Sequence, residues 1–183
     1  MSDPNGAIAI LGVGNVLLGD DGVGVHVVRE IARRVESGEA TVPAGTDLVD
    51  GGTLGLRLLP LVSGARALVI VDAAEVGDGA GDVRVVQGAN VGSHGRCLSA
   101  GTDSGVGELV DAARLLGALP PAFSLVGIRP ATLEAGLDLS ATVRAAIADA
   151  VRATLDEARR LDAQASPSVP GRSAARDLVG APA

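Results

Sequence analysis

Ile10-Leu11-Gly12-Val13-Gly14-Asn15-Val16-Leu17-Leu18-Gly19-Asp20-Asp21-Gly22-Val23-Gly24-Val25 is the stretch that decides how this chain folds. An apolar run, Ala7 to Leu11, enters a turn with glycines at 12, 14 and 19. Two adjacent carboxylates, Asp20 and Asp21, then stand where a helix should begin. Glycine turns of this layout commonly cradle phosphate, because backbone N–H groups and the helix dipole attract an anion. Negative charge at the mouth reverses that preference, toward a cation or a peptide. The dinucleotide pattern also fails in detail: Gly12-x-Gly14 needs a third glycine where Leu17 stands, and Asp50 lies beyond the usual acidic position.

Outward from this stretch, strand and helix patterns alternate. Ala7 to Leu11 has no polar alternation, as in a parallel strand covered on both faces. Val23, Val27, Ile31 and Val35 recur every four residues and predict a helix that ends at Ser37-Gly38. Thr46 to Val49 reads as a second strand, Asp50-Gly51-Gly52-Thr53 as a turn, and Leu54 to Leu61 as a short helix. Ala67 to Val71 is a third apolar strand, ending at Asp72. Val83 to Val86 comes so soon after it that the spacing predicts a hairpin. Gln87 to Thr102 is a Gly/Ser-rich loop. Leu109, Ala112, Ala113 and Leu116 mark a helix closed by Gly117, and Phe123 to Ile128 is the last strand. Ser140 caps a long helix over Ala141 to Leu161. The expectation is one α/β domain over residues 1–162, with a mostly parallel twisted sheet between helices and one antiparallel edge strand. Residues 163–183, rich in Ala, Ser, Pro and Gly without periodicity, read as a disordered tail.

Composition narrows the function. The formal charge is -7 and all 15 basic residues are Arg, with no basic tract and a single aromatic residue, which argues against a nucleic-acid partner. The lone Cys97 precludes an internal disulfide. No apolar stretch approaches the roughly 18 residues of a membrane helix. Residues 1–6 lack the positive start of a signal peptide. The expected location is the cytoplasm, with no membrane partner.

In parallel α/β folds, ligands bind beyond the C-terminal ends of the strands. The first strand leads there to Asp20 and Asp21, the second to Asp50 and Thr53, the third to Asp72. Such a set either ligates a divalent cation through oxygen or shares a proton as an acid–base pair. Each member also has a structural reading. Asp20 or Asp21 is placed for a helix N-cap, and Asp72 and Asp50 for turns. His26 flanks the apolar stripe of the first helix, His94 sits in the Gly/Ser loop, and Cys97 has only Arg96 beside it.

Four blocks taken together resemble the hydrogenase maturation endopeptidases: Gly12-Val-Gly-Asn15 through Asp20-Asp21-Gly-Val-Gly24, Asp50-Gly-Gly-Thr53-Leu-Gly55, Val69-Ile-Val-Asp72-Ala73, and Leu125-Val-Gly-Ile-Arg-Pro130. Leu133-Glu134 to Ser140 fits as well, and the resemblance spans about residues 7 to 160. It implies a single α/β domain, expected to be a monomer. The implied activity removes a short C-terminal extension from the large-subunit precursor of a nickel–iron hydrogenase after nickel insertion. Nickel then belongs to the substrate, and no organic cofactor is implied. Two carboxylates and a histidine of the family contact that metal. The carboxylates fall on Asp21 and Asp72, which are the expected catalytic and metal-contacting residues. The histidine position falls on Thr102, a poor nickel ligand; Asp103 next to it and His94 are the candidate replacements. Gly14, Asn15, Asp50, Gly51, Gly52 and Thr53 are expected to line the substrate cleft. The alternative reading is a non-catalytic maturation factor that binds the precursor and has lost the metal-reading histidine.

Overall fold

The computed structural model describes residues 6–91 and 106–165. Three strands form its centre: β1 (Ile8–Val13), β3 (Ala67–Ala73) and β5 (Ala122–Ile128). Every residue in all three is buried, as their unbroken apolar runs require. The half-exposed strands β2 (Thr46–Gly52) and β4 (Val83–Gln87) take the edges. The sheet order is β2-β1-β3-β5-β4, parallel except for the antiparallel β4–β5 pair. The chain forms the expected α/β sheet with one antiparallel edge.

Helices cover both faces. Ile8 and Ile10 of β1 point to α1 (Val23–Glu36) and α4 (Ala141–Ala165), where they meet Val23, Val27, Ile31, Val143, Val151 and Leu155. Ala9 and Leu11 point the other way, to Leu58, Val62 of α2 (Leu59–Gly64), and Leu109 and Val110 of α3 (Val106–Leu115). This is the two-residue period of a strand sandwiched between layers. Burial of each such Ile or Leu stabilises the fold by about 1.5–3 kcal/mol. The start of α1 lies against the sheet itself. A Cβ on Gly24 would run into the carbonyl oxygens of Val71 and Val13, so only glycine lets α1 approach this closely.

Four local expectations change. The hairpin between the third and fourth strands does not form: β4 pairs with β5, in the register Val83↔Ile128 to Gln87↔Ser124. The connection instead crosses the end of β5, where Ala74 N–H donates to Ile128 O and Arg129 N–H to Asp82 O, both at 2.9 Å. The physical reason is burial. The apolar β5 needs covered neighbours on both edges, whereas β4 tolerates an open one. The expected turn at Asp50-Gly51-Gly52 is largely strand, because the ladder to β1 continues as Gly12↔Asp50 and Val13↔Gly52 with a bulge between. The short helix continues to Gly64. The last helix runs four residues past Leu161 to Ala165, anchored by Arg66 donating to Asp162 at 2.6 Å. The expected cap is present, with Ser140 Oγ accepting the Val143 N–H at 3.3 Å. The rest of the tail, from 166 onward, lies outside the described residues. No helix among those described is long and apolar enough to cross a membrane.

Candidate active site

The parallel strands β1, β2 and β3 end together, and the site forms at their shared C-terminal edge. After β1 the chain turns at Gly14, whose φ is 123°. L-residues avoid that conformation, and a Cβ there would strike the Asp21 carbonyl. Gly14 N–H donates to Gly52 O at 3.0 Å, tying this turn to the end of β2. Asn15 N–H then donates to Asp21 Oδ2 at 2.7 Å, and Asn15 Oδ1 accepts the Leu17 N–H at 3.0 Å. Asp21 itself lies in a single 3-10 turn, Gly19–Gly22, ahead of α1, and is 2% exposed.

Asp72 comes from the middle of the sheet. It shares the strand face of Leu68 and Ile70 and has no solvent exposure. Its Oδ1 accepts the Ala73 N–H at 2.9 Å, while its Oδ2 has no partner among the described residues. Burial pushes the Asp72 carboxyl well above the usual carboxylate range, and the charge of Asp21 pushes it further. The Ala73 N–H opposes them without prevailing. The two carboxyl groups therefore act on each other electrostatically. Both influences favour the neutral form of Asp72, and a cation or a strong donor beside it would oppose them.

The structure assigns the neighbouring residues differently. Asp20 is not an N-cap: no side chain caps α1 or the turn before it. Its fully buried carboxylate instead accepts the N–H groups of Ala131, Thr132 and Ser140. Sequence reading missed this role, because the partners lie more than 100 residues away, and the doubled Asp20-Asp21 was the only local sign of it. The Asp50 side chain turns to Arg29 of α1, with contacts of 2.7 and 3.0 Å. Gly51 is buried, whereas Thr53 is exposed in the turn after β2. His26 is half-buried, and burial is the main cause that lowers its pKa, aided by Arg29 and Arg144 and opposed by Asp138 and Asp50. Its Nε2 has no partner among the described residues. His94, Cys97, Thr102 and Asp103 lie outside the described residues. Among those described, no group of three or more His, Cys, Asp or Glu forms a metal cluster. On the segments that flank this turn, Leu17 is 59% and Leu137 74% exposed, and the two segments are joined by Gly136 N–H donating to Leu17 O at 2.9 Å.

The chain is similar in sequence and fold to known proteins. Residues 25–157 match the family model of hydrogenase maturation proteases, a match that contains Asp72 and begins just after Asp21. The hydrogenase expression/formation protein HupD of Rhodobacter capsulatus is 32% identical, over 94% of this chain and 79% of its own. The hydrogenase 2 maturation protease of Escherichia coli is 30% identical, over 87% of this chain and 95% of its own. The solved structure of the hydrogenase maturating endopeptidase HybD from E. coli superimposes with a TM-score of 0.71 at 30% identity, covering 84% of this chain and 93% of that one. The family match, these identities over most of both chains and the shared fold agree: this chain belongs to the hydrogenase maturation protease family.

Proposed function

We propose that this protein is an endopeptidase that removes the C-terminal extension of a nickel–iron hydrogenase large-subunit precursor once nickel has been inserted. Asp21 and Asp72 read the nickel that the precursor carries. The observation that supports this most is the buried Asp72 Oδ2, without a partner among the described residues, under the influence of the Asp21 charge. A buried carboxyl oxygen without a partner costs stability, about 1–3 kcal/mol, and a divalent cation bound to that oxygen relieves the cost. Entry of the precursor's nickel thus favours the anionic, ligating form of Asp72.

Cleavage then obeys the logic of metal-assisted hydrolysis. The cation polarises the scissile carbonyl, and water adds its hydroxyl to the carbonyl carbon. The C–N bond breaks, and the proton goes to the leaving amine. Asn15, Gly52 and Thr53 line the cleft and meet the backbone of the precursor, the buried Gly14 and Gly51 shape the turns that carry them, and Asp50 supports that wall through Arg29. The metal contact that the family makes with histidine falls to His94 or Asp103, because Thr102 occupies its position.

The test mixes purified protein with nickel-loaded and nickel-free precursor and reads the C-terminal mass. Shortening of the nickel-loaded form alone is the expected result. Tight binding without shortening would instead favour a non-catalytic maturation factor, the reading that Thr102 invites. Asp21→Ala and Asp72→Ala are each expected to abolish processing while the protein stays folded. His94→Ala and Asp103→Ala separate the two replacement donors; full activity in both would remove each from the site.

A further inference from the structure

Asp20 and Asp21 are adjacent, yet their carboxylates do different work. Asp20 has no solvent exposure. Its Oδ2 accepts the N–H of Ala131 at 2.9 Å and of Thr132 at 3.2 Å, and its Oδ1 accepts the N–H of Ser140 at 2.7 Å. The two ends of the segment 131–140 therefore close on one side chain. The middle of the segment is held as well. Gly19 N–H donates to Gly136 O and Gly136 N–H to Leu17 O, each at 2.9 Å. The turn that results also fixes the next residue, since Asp21 N–H donates to Leu18 O at 3.2 Å. Residues 131–140 thus form a strap clamped to the turn that presents Asp21.

We propose that Asp20 is a positioning residue for the proteolytic reaction: by gathering the strap onto the 17–21 turn, it sets the Asp21 carboxylate in register with Asp72. Asp20 touches neither precursor nor metal. This inference rests on the proposed function. A carboxylate is needed because N–H donors approach both of its oxygens. An asparagine has one acceptor oxygen, and its NH2 would face the donors on the other side, so one end of the strap would come loose. Small misplacements of this kind in a catalytic group cost on the order of 100-fold in rate.

The experiment compares wild type with Asp20→Asn in the precursor assay, at a temperature where both are folded by circular dichroism. The expected result is a fall in kcat of about 10- to 100-fold with KM changed by no more than about twofold. A second readout needs no precursor: the Asn15 N–H donates to Asp21 Oδ2 at 2.7 Å, so its amide proton, followed by NMR hydrogen exchange, should lose protection in Asp20→Asn as the Asp21 carboxylate shifts. Unchanged kcat with a lowered Tm, or unchanged Asn15 protection, overturns the proposal and leaves Asp20 as a fold anchor only. If wild type does not process the precursor, the proposed function fails, and the Asn15 exchange alone decides the role of Asp20. If Asp20→Asn does not fold, Ala131→Pro carries both readouts; it removes one N–H donor from a segment outside every helix and strand. A normal kcat and normal Asn15 protection in that variant overturn the proposal equally.

Discussion

The charge of Asp21 raises the proton affinity of Asp72, a side chain with no solvent exposure and one oxygen without a partner among the described residues. The pair stores unfavourable free energy in the resting protein. Under the function proposed above, binding of a metal-loaded precursor relieves that cost and an empty one does not.

Asp72→Asn should therefore stabilise the protein while abolishing processing. The folded carboxyl titrates well above its unfolded value of 3.8. Its favourable contribution is fully present below that pH and is lost as pH rises through the raised value. At pH 7 the folded state bears the cost. The asparagine carries no ionisable group, and its amide N–H can donate toward Asp21. Urea unfolding at pH 7 should show a gain on the order of 1–2 kcal/mol. The gain should shrink toward pH 4. Equal or lower stability at pH 7 would contradict the stored-cost argument.

Gly14→Ala should disable the site from the backbone side. Its φ of 123° is closed to alanine, and the new methyl would displace the Asp21 carbonyl. The expected cost is at least about 1–3 kcal/mol of stability. The mass assay should show loss of processing at temperatures where the variant is still folded. Wild-type turnover in Gly14→Ala would mean that the turn does not control Asp21.

Glu30, on α1, provides a second pH test. Hydrogen bonds from Arg33 and Arg34 hold its carboxyl down to about 2, against a usual 4.5. Its contribution is present above pH 4.5 and is lost as pH falls toward 2. The Glu30 side chain is 25% exposed and Arg33 54%, so solvent screening keeps the effect near ~0.5 kcal/mol. The stability difference between wild type and Glu30→Gln should vanish between those pH values and weaken in high salt.

Arg160→Ala should cost far more. Glu157 is 6% exposed, and burial drives its carboxyl upward, yet hydrogen bonds from Arg160 and Ser124 outweigh that and hold it low. Arg160 meets Glu157 at 2.5 and 2.7 Å and reaches Ser124 Oγ at 3.3 Å. Truncating the arginine leaves a buried carboxylate without its counter-charge, at a cost of about 3 kcal/mol. Adding Glu157→Gln to Arg160→Ala should recover part of that loss, measured by chemical denaturation in a double-mutant cycle.

Sequence alone determined the layers and the identity of the central strands. Unbroken apolar runs such as Ala67 to Val71 have to be covered on both faces, and a four-residue recurrence such as Val23 to Val35 has to be a helix with one buried side. It also placed Asp72 at the end of an apolar strand and Asp21 at the start of the first helix, because a carboxylate at either kind of boundary is locally visible. Tertiary structure decided what no local pattern records. It seated β4 beside β5 rather than β3, since the buried β5 needed its second edge covered. It divided the labour of Asp20 and Asp21, sending one carboxylate to backbone groups up to 120 residues away and leaving the other to act on Asp72. Periodicity reports which side of an element is buried. Which distant donor reaches a given oxygen depends on how the elements stack, and that is set only when the whole sheet closes.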